Sequence, residues 1–206
     1  MRFEEWEPHY TAILDYFGFD RAADEEAALL LARLAPRDDH ALLAAFCRDR
    51  AVTVCGNAPC LAGELSLISG TVFAADAAAD LLYGHGIRPD AVFTDLDGAT
   101  DRFSLMNREG TIMVVHAHGD NMRLLRTWVP RFEGPFVATT QARPLPGVHN
   151  FGGFTDGDRA VFAAHALGAA SVRIVGFDLD DRGVDKVKRG KLVWARRLLS
   201  LLGHDL

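Results

Sequence analysis

The run AVFTDLDG (Ala91–Gly98) ends an apolar stretch with Asp95 and Asp97, two carboxylates one residue apart. That spacing lets both reach one hard cation, and Mg²⁺ favours carboxylates together with substrate phosphate oxygens. A second run, TIMVVHAHGDN (Thr111–Asn121), goes from apolar residues straight into His116, His118, Gly119, Asp120 and Asn121. Asp76 closes TVFAAD (Thr71–Asp76), and Asp178 closes SVRIVGFD (Ser171–Asp178). In an open α/β sheet, ligands bind at the carboxyl ends of the strands. Acids delivered to one such rim predict an active site for a magnesium-bound nucleotide, with Asp95, Asp97 and Asp120 on the metal and Asp76 beside them.

The histidines suit zinc by residue type. A zinc centre needs three or four assignable nitrogen or sulfur ligands, and the sequence does not assemble them. His116 is expected to be a core histidine bonded to backbone, and His118 to face the site. The turn after the first strand, Gly56-Asn57-Ala58-Pro59, allows backbone N–H groups to approach a phosphate at a helix start. NFGGFTDGDR (Asn150–Arg159) opens a helix with Thr155 as a cap and with Asp156 and Asp158 in the first turn. Those caps leave Gly152-Gly153 unexplained. Paired glycines permit close approach to a flat ligand, on which Phe151 or Phe154 could stack. The basic run KVKRGK (Lys186–Lys191) is read either as a solvated face or as a mobile loop whose Lys188 and Lys191 neutralise a triphosphate.

The elements that must position these residues change character near residue 50. Trp6, Tyr10, Ile13, Leu14 and Phe17 recur at the helical period before Gly18. Asp20 caps a second helix bearing Leu29, Leu30, Leu31 and Leu34. Asp38 or Asp39 starts a third, carrying Leu42, Leu43 and Phe46. This segment, 1–50, carries no nucleotide-binding pattern and is expected to cap the sheet or form a subunit contact. From Ala51, short apolar strands alternate with helical segments: Val52–Cys55, Thr71–Ala75, Ala91–Thr94, Thr111–Val115, Phe136–Thr139 and Val172–Val175. Alternation of this kind predicts an α/β fold over 51–206, a mostly parallel Rossmann-like sheet with helices on both faces.

The chain of 206 residues has a formal net charge of -6, which argues against a nucleic-acid partner and gives no reason for membrane binding. It opens without a secretory pattern. Three cysteines lacking zinc-type spacing read as reduced thiols of a cytoplasmic protein.

Taken together, TDLDG, HAHGDN, TTQ (Thr139–Gln141) and NFGGFTDGDRAV closely resemble the archaeal MptE-like 6-hydroxymethyl-7,8-dihydropterin pyrophosphokinases, over almost the whole chain. That family is similar in fold to the catalytic domain of thiamin pyrophosphokinases. The resemblance implies Mg²⁺-dependent transfer of pyrophosphate from ATP to a pterin alcohol, with release of AMP, in folate or tetrahydromethanopterin biosynthesis. It makes Gly56, Asn57, Asp76, Gly119, Asn121, Lys188 and Lys191 candidate nucleotide contacts. Thr140, Gln141, Asn150, Gly152, Gly153, Phe154, Asp156 and Asp158 become candidate pterin contacts, and His118 a candidate for assisting deprotonation of the attacking hydroxyl. The alternatives are a pyrophosphokinase for thiamin or another heterocyclic alcohol, or a non-catalytic nucleotide-binding module, and a homo-oligomer is compatible with any of them. One departure stands out: the second strand ends in Asp76-Ala77-Ala78, where the family has Asp-Gly-Ala.

Overall fold

The computed structural model describes residues 1–205. Seven parallel strands form one sheet: β1 (Ala51–Cys55), β2 (Thr71–Ala75), β3 (Ala91–Thr94), β4 (Ile112–Ala117), β5 (Phe136–Thr140), β6 (Val148–His149) and β7 (Ser171–Val175), in the order β6-β5-β4-β3-β2-β1-β7. The chain walks outward from β1 to β6, then returns to place β7 on the other side of β1. The strand order therefore reverses at β1, and the loops after β1 and β7, joined by Ala58 N donating to the Gly176 carbonyl at 2.9 Å, sit at the carboxyl edge where ligands bind in such sheets. β6 has no counterpart in the sequence reading, because two residues are too few to show a period of two.

Helices cover both faces, as expected. They are α1 (Phe3–Phe17), α2 (Arg21–Leu34), α3 (His40–Cys47), α4 (Leu61–Glu64), α5 (Ala78–Gly84), α6 (Asp101–Arg108), α7 (Met122–Trp128), α8 (Asp156–Ala166) and α9 (Lys186–Leu201). Residues of α2 and α4–α7 share one core with one face of the sheet, and residues of α3, α8 and α9 share a second core with the other. A third cluster joins α1 to α8 and α9 through Trp6, Tyr10, Phe162 and Trp194.

Local chemistry accounts for most of the boundaries. Gly18, at φ 70°, ends α1 by donating its N–H to the Leu14 carbonyl. Asp20 caps α2 by accepting from Ala22 N at 2.9 Å. Both acids before α3 are used: Asp38 accepts from His40 N, while Asp39 accepts from Phe136 N and ties the helix start to β5. Of the consecutive leucines on α2, Leu31 is fully buried and Leu29 is exposed, since neighbours on a helix cannot share one face.

Two expectations need correction. Apolar residues at helical spacing over Met122–Arg131 predict one helix there, but it stops at Trp128 and tightens into a 3₁₀ turn over Val129–Arg131, where Pro130 cannot donate to the α-helical ladder. The basic run is not a loop ahead of the last helix. Asp185 caps α9 by accepting from Lys188 N at 2.8 Å, so Lys186–Lys191 form its first turns. Lys188 and Lys191, three apart, consequently share one helix face.

Candidate active site

Alternation along β3 and β4 decides which acids meet. Ala91 and Phe93 pack in the α8-side core and Val92 in the other, so Asp95 continues the α8 side. By the same count His116 follows Ile112 and Val114 onto that side. The first turn of α8 supplies Asp156 and Arg159 there. Carboxylate oxygens of Asp76, Asp95 and Asp156 lie within 4.8 Å of one another, in a cavity of about 710 Å³, a size suited to a small organic ligand.

The backbone is bent to make this meeting. Asp76 sits at φ 45° and Leu96 at φ 74°, in the left-handed region that side chains normally avoid. At the Leu96 kink Leu96 N donates to Thr94 Oγ1 at 2.8 Å and Asp97 N donates to Asp95 Oδ1 at 3.2 Å, which keeps the two acids side by side. Ala77, in place of the family's glycine, lies at φ −61°, which any residue adopts, so the alanine fits without strain.

Each acid has a different electrostatic setting. Burial disfavours ionisation of Asp95, but the bond from His118 and the charge of Arg159 override it and hold the carboxyl well below the usual range. Burial pushes Asp76 up to about 6, opposed by the 2.6 Å bond from Thr94 Oγ1 and reinforced by the charges of Asp97 and Asp95. Asp97 is raised by burial and by Asp95. Asp156 is raised well above the usual range by burial and by Asp95, despite its 3.1 Å ion pair with Arg159. Three carboxylates thus crowd together with one guanidinium among them. Such a surplus of negative charge fits a divalent cation, for which carboxylate oxygen is the appropriate donor.

His118 has both ring nitrogens engaged. Its Nδ1 accepts from Asp120 N at 3.3 Å, which places the proton on Nε2, 3.4 Å from Asp95 Oδ2. His118 thus stands as a hydrogen-bond donor to Asp95 in the cavity wall. His116, as expected, is buried. Its Nδ1 pairs with Thr139 Oγ1 rather than with backbone.

The remaining candidates divide by environment. Gly56, Asn57, Asp97, Gly119, Asp120, Gln141, Phe154, Lys188 and Lys191 line the cavity with the acid trio. Asp120 is exposed in the 3₁₀ turn after β4 and, like Asp97, stands outside the trio, in which Asp156 joins Asp95 and the expected Asp76. Asn121 is buried behind the site, donating to the carbonyls of Asp95 and His116 and stitching β3 to β4. Thr140 turns inward to accept from Ala142 N.

Within NFGGFTDGD, only Phe154, Thr155, Asp156 and Gly157 reach the cavity. Asn150 donates to the carbonyls of Gln141 and Ala142 and accepts from Gly152 N, which consumes its side chain in the turn. Gly152 and Gly153 lie at φ 87° and 89°, and a Cβ on them would strike the Phe162 ring and the Arg159 backbone respectively. The glycines admit α8, not a ligand. Asp158 is fully buried and accepts from Phe154 N at 2.8 Å and Thr155 N at 2.6 Å, closing the capping box of α8. Phe151 stacks against His40 and His149 instead of facing the cavity.

The sequence reading missed several cavity residues. Phe19, Asp20, Ala23 and Asp24 come from the segment expected only to pack or to contact a subunit. Arg159 and Phe177 complete the wall, and Gly56 and Gly157 are glycines where a Cβ would meet the Phe177 ring.

Comparison with known proteins decides the family. The family described as 6-hydroxymethylpterin diphosphokinase MptE-like matches residues 32–183. The chain belongs to the MptE-like family. A curated 6-hydroxymethyl-7,8-dihydropterin pyrophosphokinase of Methanothermobacter thermautotrophicus is 39% identical, covering 100% of this chain and 97% of its own. That of Pyrococcus furiosus is also 39% identical, covering 100% and 96%. A third relative of the same name, from Methanocaldococcus jannaschii, is 30% identical, covering 98% of this chain and 96% of its own. Similarity of this extent takes in the N-terminal helices as well as the sheet. Among the described residues, no helix is long and apolar enough to cross a membrane.

Proposed function

We propose that this protein transfers pyrophosphate from ATP to the hydroxymethyl oxygen of 6-hydroxymethyl-7,8-dihydropterin, releasing AMP. The observation that carries the reading is the meeting of Asp76, Asp95 and Asp156 in a cavity also lined by Lys188 and Lys191, in a chain whose full-length relatives bear that enzyme's name. The hydroxymethyl oxygen bonds to the β-phosphorus as the bond from that phosphorus to the AMP oxygen breaks, AMP departs and the hydroxyl proton passes to solvent, a step that needs alignment and charge neutralisation more than covalent help. Asp76, Asp95 and Asp156 would hold Mg²⁺, which when bound offsets the negative charge of the phosphates. Asp97 stands close enough to Asp95 to be raised by its charge and serves as a further acceptor beside the trio. His118 and Asn121 keep Asp95 in place, one through its carboxylate and the other through its carbonyl. Phe19, Phe154 and Phe177 offer apolar walls against which a flat heterocycle can lie while bulk water is excluded.

The direct test is incubation with ATP, Mg²⁺ and the pterin alcohol, measuring AMP and the pterin diphosphate, with thiamin in parallel. Both products should appear with the pterin alone. AMP release with thiamin only would reassign the acceptor, and no release with either would leave a nucleotide-binding module.

Lys188 and Lys191 give a second test. With both on one face of a helix capped by Asp185, Lys188→Ala with Lys191→Ala should lower kcat/KM for ATP by about tenfold to a hundredfold. Because neither lysine fills a core, the melting temperature should stay within about 2 °C. Unchanged ATP kinetics would return the basic turns to a solvated face.

A further inference from the structure

We propose that Asp24, Gln141 and Arg159 form a relay of fixed polarity that holds Asp156 among the clustered carboxylates, so that the N-terminal segment sets the cation affinity of the site. The proposal rests on reading Asp76, Asp95 and Asp156 as cation ligands. Its links are four hydrogen bonds in series. Tyr10 Oη on α1 and Gln141 Nε2 after β5 each donate to Asp24 Oδ2 on α2, both at 2.7 Å. Gln141 Oε1 accepts from Arg159 Nη2 at 3.4 Å, and Arg159 Nη1 donates to Asp156 Oδ1 at 3.1 Å. Gly119 N, in the turn carrying Asp120, donates to the other Asp24 oxygen at 2.8 Å.

Each link has a fixed polarity: Arg159 donates to both of its neighbours, and Asp24 only accepts. Asp24 accepts three bonds, so Gln141 must present its NH₂ group to it, which leaves the amide oxygen for the guanidinium. Burial, with the bond to Asp24, pushes the Tyr10 phenol above its ordinary range and keeps it a donor. Asp24, Gln141 and Arg159 are at most 8% exposed, and apolar residues of similar volume would serve packing at least as well. What such residues would not do is aim a charged donor at the Asp156 carboxylate. Arg159 supplies that donor, and its two terminal nitrogens are divided between Gln141 and Asp156. An arginine released from Gln141 keeps its charge but loses its aim.

The test is a polarity swap read by Mn²⁺ affinity of the apo protein in titration calorimetry. Gln141→Glu sets two carboxylates face to face and should weaken Mn²⁺ binding by about tenfold or more, as is usual when a partner behind a ligand is lost. Asp24→Asn leaves one oxygen for Gln141 Nε2 and Gly119 N, which bond opposite oxygens of Asp24, so by itself it costs one of those two links. Asp24→Asn with Gln141→Glu restores donor-to-acceptor order with the same net charge, and should recover affinity to within about threefold. Gln141→Ala cuts the relay without a charge clash and serves if Gln141→Glu does not fold; it should show the same loss. Wild-type Mn²⁺ affinity in Gln141→Glu or Gln141→Ala, or a swap that folds but recovers nothing, overturns the relay alone. A wild-type chain that binds no Mn²⁺ overturns the cation reading of the carboxylates and the relay with it.

Discussion

Asp76→Asn should give a chain that is more stable than the wild type above about pH 6 and that has lost most of its activity. Asparagine adopts the left-handed backbone of position 76 and keeps an oxygen for the Thr94 hydroxyl, so the fold tolerates it. The gain comes from proton linkage. The carboxyl titrates at about 6 in the folded chain and near 3.9 when unfolded. Between those values the folded state holds a proton that the unfolded state has released, so wild-type stability falls as pH rises through this window and levels off above it. The asparagine variant has no such loss. The difference between the two should be near zero below about pH 4 and reach on the order of 1–3 kcal/mol above pH 6. Saturating Mg²⁺ should reverse the order, because it binds the folded wild type and adds stability by mass action. Activity should fall by at least about a hundredfold. Denaturant melts at pH 4.5, 6 and 8, with and without Mg²⁺, check each part. A variant less stable at pH 8 and equally active would remove Asp76 from the cation site.

Much of this arrangement was legible before any coordinates. The strand-end rule found Asp76, Asp95 and Asp97, since an apolar run that stops at an acid in a parallel sheet places that acid on the ligand-binding rim. It also brings Asp120 to the same cavity, though outside the close group of Asp76, Asp95 and Asp156. NFGGFTDGD reads as a motif, but sequence does not say which glycines face a ligand and which admit a helix. Asp24 and Arg159 left a fainter mark. Asp24 falls on the same α2 face as Ala27, Ala28 and Leu31, and Arg159 is surrounded by the buried residues of α8. A charge on an apolar stripe is a signal. Its partners, however, lie as many as 117 residues away, beyond the reach of local pattern.

Asp156→Ala and Asp158→Ala, made singly, should separate function from folding within a single helical turn. Both acids open α8 and both look like caps in the sequence, yet they face different surroundings. Asp158 has its Oδ1 on two backbone N–H groups and lies wholly inside. Alanine there strands both donors in the interior, at about 1–3 kcal/mol each if no water reaches them, so the variant should melt several degrees lower. The surviving folded fraction should turn over at nearly the wild-type rate, because Asp158 does not line the cavity. Asp156 gives the opposite pattern. Its carboxyl is pressed toward the neutral form by burial and Asp95, and its one fixed partner is Arg159, so deletion costs the apo fold little. It removes a ligand from the cation site, and kcat should drop by about a hundredfold or more. Mn²⁺ affinity should fall with kcat in Asp156→Ala and stay unchanged in Asp158→Ala. Loss of turnover in a folded Asp158→Ala, or full turnover in Asp156→Ala, would mean that the cap and the ligand had been assigned the wrong way round.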